Sequence, residues 1–256
     1  MSRSGSSTTR PTLQNHILPS PQKMFTTASD TLSFGVPETR RFARQRRQAR
    51  QKRAHLFWQL MQPKPTDTIL DLGGGHGRHL ADILPNHDPR RITVADTNRK
   101  KLAQCAFNTV LLDERSHRLP FGFGEFDIVF CSSVIEHVTV PRSEVWTCPA
   151  KEFRRRSEQA QLDFAQEIAR VGKRFFVQTP YLYFPIEAHS LLPAPVFFLP
   201  RRAQLAVLKV TRTVWLRRTP DYLLFDYERL QAIFPSAKIV AERWLGLTKS
   251  LVAARG

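Results

Sequence analysis

Hydrophobic positions along this chain come in two alternating rhythms. Short apolar runs bounded by glycine, proline or charge are followed by stretches whose apolar residues recur every third or fourth position. Read in order, Asp67–Leu72 is a strand, Arg78–Leu84 a helix, and Arg91–Ala95 a second strand ending at Asp96. Asn98–Ala106 is a helix, Thr109–Leu112 a third strand and Phe126–Cys131 a fourth. Lys151–Val171 is a long amphipathic helix with Phe153, Leu162, Phe164, Ala165, Ile168 and Ala169 on its apolar side. Arg174–Gln178 is a fifth strand, Tyr227–Phe234 a helix, and Lys238–Ala241 with Leu247–Ala253 a closing antiparallel pair. Strands alternating with helices imply right-handed crossovers and a mostly parallel α/β sheet. Ligands of such sheets bind outside the carboxyl ends of the strands, where strand order reverses.

Two regions depart from this rhythm. Residues 1–38 are rich in Ser, Thr and Pro without hydrophobic periodicity, and are expected to be a disordered tail. Residues 39–62 hold strong helix formers and no breaker, basic at first and apolar only at Leu56, Phe57, Trp58, Leu60 and Met61. A solvated leading helix, a helix on anionic lipid and an RNA-binding arm all remain open for this segment. Residues 63–256 then form the main domain, with an aromatic, Pro-rich and later basic insertion at about 180–220.

Charge sharpens this division. The formal net charge is +17, and residues 1–60 supply +9 of it, so the excess marks the leading region more than the sheet. Cys105, Cys131 and Cys148 are odd in number and lack both disulfide and metal spacing, which favours a reducing interior. No apolar run approaches a membrane span, and the opening residues lack a secretory apolar core. A cytoplasmic location is expected, peripheral at a membrane as a variant. The acid-poor start also keeps an organellar address open.

The chemistry concentrates at ILDLGGGHGRHL, residues 69–80, a strand running into a glycine turn and then a helix. Glycines are needed where φ is positive or where a ligand lies against bare backbone, and amides at a helix start favour negative charge. A nucleotide-type cofactor follows from this. A dinucleotide fingerprint starting at Gly73 fails at Arg78, and no Gly-Lys-Ser/Thr continues the turn as a P-loop would. The pattern present is Asp71-x-Gly73-x-Gly75-x-Gly77, with Gly74 between.

This stretch resembles the first motif of class I S-adenosylmethionine-dependent methyltransferases, at all four positions. The run LPFGFGEFDIVFCSSVIEHV, residues 119–138, extends the resemblance to small-molecule enzymes of the type 11 kind. It implies a Rossmann-like seven-stranded sheet, mostly parallel with a C-terminal antiparallel hairpin and helices on both faces. S-adenosyl-L-methionine is the implied cofactor, held by Asp71, Gly73, Gly74, Gly75 and Gly77. Asp96 would accept the ribose hydroxyls, and Asp113, displaced from the usual acid position now held by Arg115, would approach the adenine. The end of the fourth strand near Cys131 would face the methyl group, with Glu136 and His137 heading the next segment as catalytic candidates.

The stretch QTPYLYFPIEAHSLLP, residues 178–193, is similar to a substrate-side loop of the same family. There His189 and Glu187 are candidate proton acceptors, and Tyr181, Tyr183 and Phe184 an apolar wall. His76 and His79 lack acidic or thiol partners at ligand spacing, so no metal is expected. The implied activity is O- or N-methylation of a small-molecule or lipid-linked acceptor. Residues 196–218, apolar positions threaded with Arg and Lys, are read either as a peripheral contact with anionic membrane or as a lid over the site. An RNA methyltransferase is the rival reading, prompted by charge. Neither a Pro-Cys nucleophile pair nor an Asn/Asp-Pro-Pro run ends the fourth strand, which disfavours it. A non-catalytic cofactor-binding scaffold is the third reading.

Overall fold

In the computed structural model, which describes residues 40–113, 116, 118–185, 199–214 and 219–256, the most completely buried strand stands near the middle of the sheet. All four residues of β1 (Ile69–Leu72) are buried. Beside it lie β2 (Ile92–Asp96) and β4 (Phe126–Ser132), both parallel to it. The full sheet has seven strands in the order β3-β2-β1-β4-β5-β7-β6. Here β3 is Asn108–Leu111, β5 Gly172–Pro180, β6 Lys238–Trp244 and β7 Leu247–Arg255. Strands β1 to β5 are parallel, whereas β7 runs antiparallel to both β5 and β6. The expected mostly parallel Rossmann-like sheet with a C-terminal antiparallel hairpin is therefore present. Its order reverses between β1 and β4.

Why the strand sequences read as unbroken apolar runs is visible in the two cores. Leu70, Leu72, Val129, Cys131, Phe175 and Val177 face one side, and Ile69, Ile128, Phe130 and Phe176 face the other. A strand covered on both faces needs no polar alternation. The first side is covered by α4 (Ala150–Val171) and α6 (Tyr227–Ile233). The second is covered by α1 (Arg40–Met61), α2 (Arg78–Ile83) and α3 (Arg99–Leu102). A further helix, α5 (Arg201–Val214), lies within the region expected as an insertion.

Helix α3 is shorter than the periodicity suggests. The Asn98 carboxamide caps it, accepting from Lys101 N at 3.1 Å, and it closes after one turn. The chain must then bring Phe107 under the glycine turn, where its ring leaves no space for a Cβ at Gly77.

One unit spans Glu38–Gly256, so α1 belongs with the sheet. Phe57 packs edge-on against Phe130 and Phe176, with ring centroids 5.5 Å apart in each case. Four residues later Arg174 donates to the Met61 carbonyl at 2.6 Å, and four residues earlier Arg53 donates to Ser132 Oγ at 3.1 Å. Steps of four along α1 thus match steps of two along β4 and β5, about 6 Å in each case. The helix runs antiparallel to these strands, with its basic end at their carboxyl edge.

Asp127, which opens β4, works at the opposite edge. It accepts from Thr68 N at 2.8 Å, Thr68 Oγ1 at 2.9 Å and Lys173 Nζ at 2.9 Å. The Lys173 hydrogen bond, then those from Thr68, hold its carboxyl down at about 2. This acid staples β1 to β4 and β5, far from the glycine turn.

Candidate active site

Where β1 ends, the backbone makes one more sheet bond, Gly73 N to Ala95 O at 2.7 Å, and then turns. Gly75 takes a φ of 59°, in the left-handed region, and its amide donates to Asp96 Oδ2 at 2.9 Å. The other Asp96 oxygen accepts from Asn98 N at 2.7 Å. The Asp96 carboxylate is thereby fixed one strand over from the turn, only half buried, with lone pairs left for further donors.

Gly74 has a different reason to be glycine. A Cβ there would stand 2.1 Å from Asp71 Oδ2 and 2.2 Å from its Cγ. The turn lies directly on a carboxylate that is 2% exposed, and Asp71 Oδ2 has no hydrogen-bond partner. Burial first, and the nearby Asp96 charge second, push the Asp71 carboxyl up to about 7.

Within the turn itself the amides of Gly73, Gly75 and Gly77 are taken by Ala95 O, Asp96 Oδ2 and Gly74 O. What remains beneath the turn is an orphaned acid. Such a place is stabilised by a cation-bearing ligand, because an unpaired buried carboxylate is costly.

The end of β4 closes the other side. Val134 packs into the space a side chain at Gly73 would need, and Ser133 is held at φ 56°. A non-glycine residue in that region costs about 1 kcal/mol and persists only where its surroundings over-determine it. Here Ser133 N donates to the Gln178 carbonyl at 2.9 Å, while the hydroxyls of Ser132 and Ser133 both donate to Gln178 Oε1. Cys131 itself is fully buried among core residues, and burial holds its thiol well above the usual range. Its side chain is enclosed by the core.

Beyond Ser133, a single 3-10 turn, Ile135–His137, separates the two catalytic candidates. Glu136 is wholly buried and accepts from Thr179 Oγ1 at 3.0 Å, which ties the turn to β5. His137 is partly open, and its Nδ1 lies 3.5 Å from Asp221 Oδ1 and 3.3 Å from the Asp221 carbonyl. Burial works against the charged imidazole, but the Asp221 hydrogen bond and the charges of Glu136 and Asp221 outweigh it and raise the His137 pKa. Asp221 is likewise opposed by burial, yet its bonds to His137 and Arg142 hold its carboxyl below the usual range. The Tyr222 ring meets the His137 ring edge-on at 6.2 Å.

Asp113 follows β3 as an exposed residue on the same carboxyl edge. Tyr181, Tyr183 and Tyr227 form an aromatic group at the end of β5, with centroids 5.5 Å apart from Tyr181 to each neighbour. His189 and Glu187 lie outside the described residues, as do 196–198 and 215–218. Within α5, Arg201 does not point outward: its guanidinium lies 3.4 Å over the Phe153 ring and donates to the Val145 carbonyl at 2.9 Å. Among the described residues no group of His, Cys, Asp or Glu is placed to hold a metal ion.

Four contributors were not anticipated: Arg53 from α1, Asp221, its neighbour Tyr222, and Gln161 of α4. Gln161 is buried and donates to the Ile135 and Leu223 carbonyls at 3.1 and 3.0 Å, which locks the His137 turn to the segment carrying Asp221. The one signal for Gln161 was a polar residue on the otherwise apolar side of a long helix.

Residues 70–155 match a protein-family model described as a methyltransferase domain. Among solved structures, a chain of the Haloferax volcanii complex between the Trm112 methyltransferase activator and a methyltransferase is similar at 13% identity, with a TM-score of 0.51, covering 84% of this chain and 91% of that one. The YcgJ protein from Bacillus subtilis aligns at 15% identity and a TM-score of 0.47, over 77% and 71% of the two chains. The magnesium protoporphyrin IX methyltransferase from Synechocystis, solved with bound SAH, aligns at 13% identity and a TM-score of 0.45, over 82% and 84%. At such identities the likeness concerns the fold. No curated protein matches this chain in sequence.

Proposed function

We propose that this chain carries a class I S-adenosylmethionine-dependent methyltransferase domain and uses it to methylate an oxygen or nitrogen of a small-molecule or lipid-linked acceptor. The observation that carries the reading is the orphaned Asp71 oxygen beneath the Gly74 cradle, one strand away from the Asp96 carboxylate. The residues fit the cofactor: Asp71 supplies an anion where its amino-acid part is cationic, the bare glycine turn admits a close approach, and Asp96 offers acceptors to a ribose. When bound, the cofactor supplies a methyl carbon attached to a positively charged sulfur.

The protein's own work is then alignment and proton handling. The clamped end of β4 and the turn after it hold the acceptor side at fixed distance from the glycine cradle. Positioning of this kind is worth roughly 7–11 kcal/mol at best. His137 stands at the acceptor side with Nδ1 held by Asp221, the arrangement of a base kept in one orientation by a carboxylate. The aromatic group around Tyr181 gives the same side an apolar wall.

Transfer of a tritiated methyl group should appear in low-molecular-weight or lipid fractions offered separately from RNA. Label confined to RNA would sink the acceptor class and leave the cofactor assignment standing.

A further expectation concerns pH. Because the Asp221 hydrogen bond and the charges of Glu136 and Asp221 outweigh burial and raise the His137 pKa, kcat/KM should climb with pH and level off above that raised pKa. Asp221→Asn should move the inflection to lower pH, and His137→Ala should cost about 10²-fold or more in kcat. A profile unmoved by either substitution removes His137 from the chemistry.

A further inference from the structure

The hairpin joining β6 to β7 breaks two local rules at once. Trp244 pairs with Leu247, which leaves Leu245 and Gly246 as a two-residue turn with φ of 48° and 82°. Such a turn requires positive φ at both positions and is best filled by Asn-Gly or Asp-Gly. Leucine, with its Cβ, is strained there. It also gains nothing from packing, since Leu245 is 80% exposed. Its neighbours Trp244 and Leu247 are 37% and 50% exposed, and Trp244 rests edge-on to Phe184 at 6.2 Å. A local rule broken without return in the fold points to a use outside it.

Position supplies the rest. Ser250 pairs with Pro180 at the end of β5, and β7 begins three residues earlier, so the hairpin tip stands roughly 10 Å above the carboxyl edge of the sheet. Helix α1 overhangs the same edge. Arg53 reaches both Ser132 Oγ and the Glu242 carboxylate, which fixes its level there. From Arg53 back to Arg40 the helical rise carries α1 roughly 20 Å further out. That stretch of sequence, RRFARQRRQAR over residues 40–50, contains no acid. Lys52 of α1 and Arg243 of β6 line one groove, and both are exposed, as is Arg50. Of the acids nearby, Glu242 is committed to Arg53 and Asp82 faces Arg50 at 3.8 Å.

An apolar apex with exposed cations beside it, on one edge, is the form of a peripheral contact with an anionic bilayer. We infer that the β6–β7 hairpin tip and the overhanging basic turns of α1 dock this protein on an anionic lipid surface, with Leu245 as the inserted side chain. RNA explains the arginines but gives an exposed leucine on a strained turn no partner. No helix among the described residues is long and apolar enough to cross a membrane. The same edge carries Asp71, Asp96 and His137, so docking would turn the candidate site toward the lipid. The docking itself stands whether or not a methyl group is transferred.

The test is co-sedimentation of the full chain, without cofactor, with vesicles of phosphatidylcholine alone and of phosphatidylcholine mixed with phosphatidylglycerol. Binding is expected to the mixed vesicles only, and to weaken as salt is raised. Leu245→Asn suits the turn, so its melting temperature should equal or exceed the parent's, while vesicle affinity falls about tenfold. Arg50→Glu combined with Lys52→Glu should reduce binding to the mixed vesicles as well. A parent chain that stays in the supernatant overturns the proposal, and so does a Leu245→Asn chain that binds vesicles as tightly as the parent. Salt-sensitive capture of polyuridylic acid without any vesicle binding would assign the basic surface to nucleic acid instead.

Discussion

Gly74→Ala is expected to abolish measurable binding of S-adenosylmethionine and of its demethylated product while leaving the sheet folded. The added methyl group would fall 2.1 Å from Asp71 Oδ2, well inside contact distance. Asp71 has nowhere to retreat: it is 2% exposed, on a strand whose every residue is buried. Either the acid is driven into the apolar core or the turn lifts off it, and both outcomes destroy the cradle. Overpacking of this kind costs about 1–3 kcal/mol in stability. The effect on cofactor affinity should be larger, about 100-fold or more, because the lost contact is made by backbone. Calorimetric titration with both nucleosides, beside circular dichroism, checks this. The double variant Gly74→Ala/Asp71→Ala makes room for the methyl group, so it should recover stability without recovering affinity. That non-additivity is expected of groups in direct contact. Parent-like affinity in Gly74→Ala would mean that the ligand lies elsewhere.

The glycine turn and Asp96 were legible in the sequence because their geometry is local. Spacing alone puts the turn at a strand end and the acid at the end of the next strand. What spacing cannot convey is the sign of the field inside the turn. The amides of Gly73, Gly75 and Gly77 are bonded within the fold, and the group left without a partner is an acid.

Other features are non-local, and spacing did not reveal their partners. His137 meets Asp221 across 84 residues of sequence, and the segment carrying Asp221 is itself placed by Gln161. The apolar end of the arginine-rich helix was legible, and Phe57 and Met61 do fill the second core; that Arg53 reaches the strand ends was not. Conversely Asp127, conspicuous within the motif that suggested the family, holds strands together at the edge away from the turn. A motif residue can thus be diagnostic of the fold without touching the chemistry.

Asp71→Asn should separate stability from function most sharply. In the free protein the folded-state pKa of this acid stands at about 7, against 3.8 for the unperturbed group. Between those values the folded chain keeps a proton that the unfolded chain has released, so stability must fall as pH rises from about 4 to about 7 and stay low above. At one pKa unit per roughly 1.4 kcal/mol the cost reaches a few kcal/mol at most. Asparagine carries no charge to desolvate. It does place an amide donor where no acceptor is offered, and this takes back about 1–3 kcal/mol. The net expectation is a variant about 1–2 kcal/mol more stable than the parent at alkaline pH, with stability nearly flat across the same window. Binding should move the other way. A cationic ligand group needs the carboxylate, so parent affinity should rise with pH through about 7, with proton release below it. The variant should bind roughly 10- to 100-fold more weakly at alkaline pH and show no such dependence. Thermal melts across the window, and calorimetry in two buffers of different ionisation heat, read both halves. If the variant is less stable at alkaline pH and binds the nucleoside as the parent does, Asp71 is a structural acid and the cation site proposed beneath the turn is wrong.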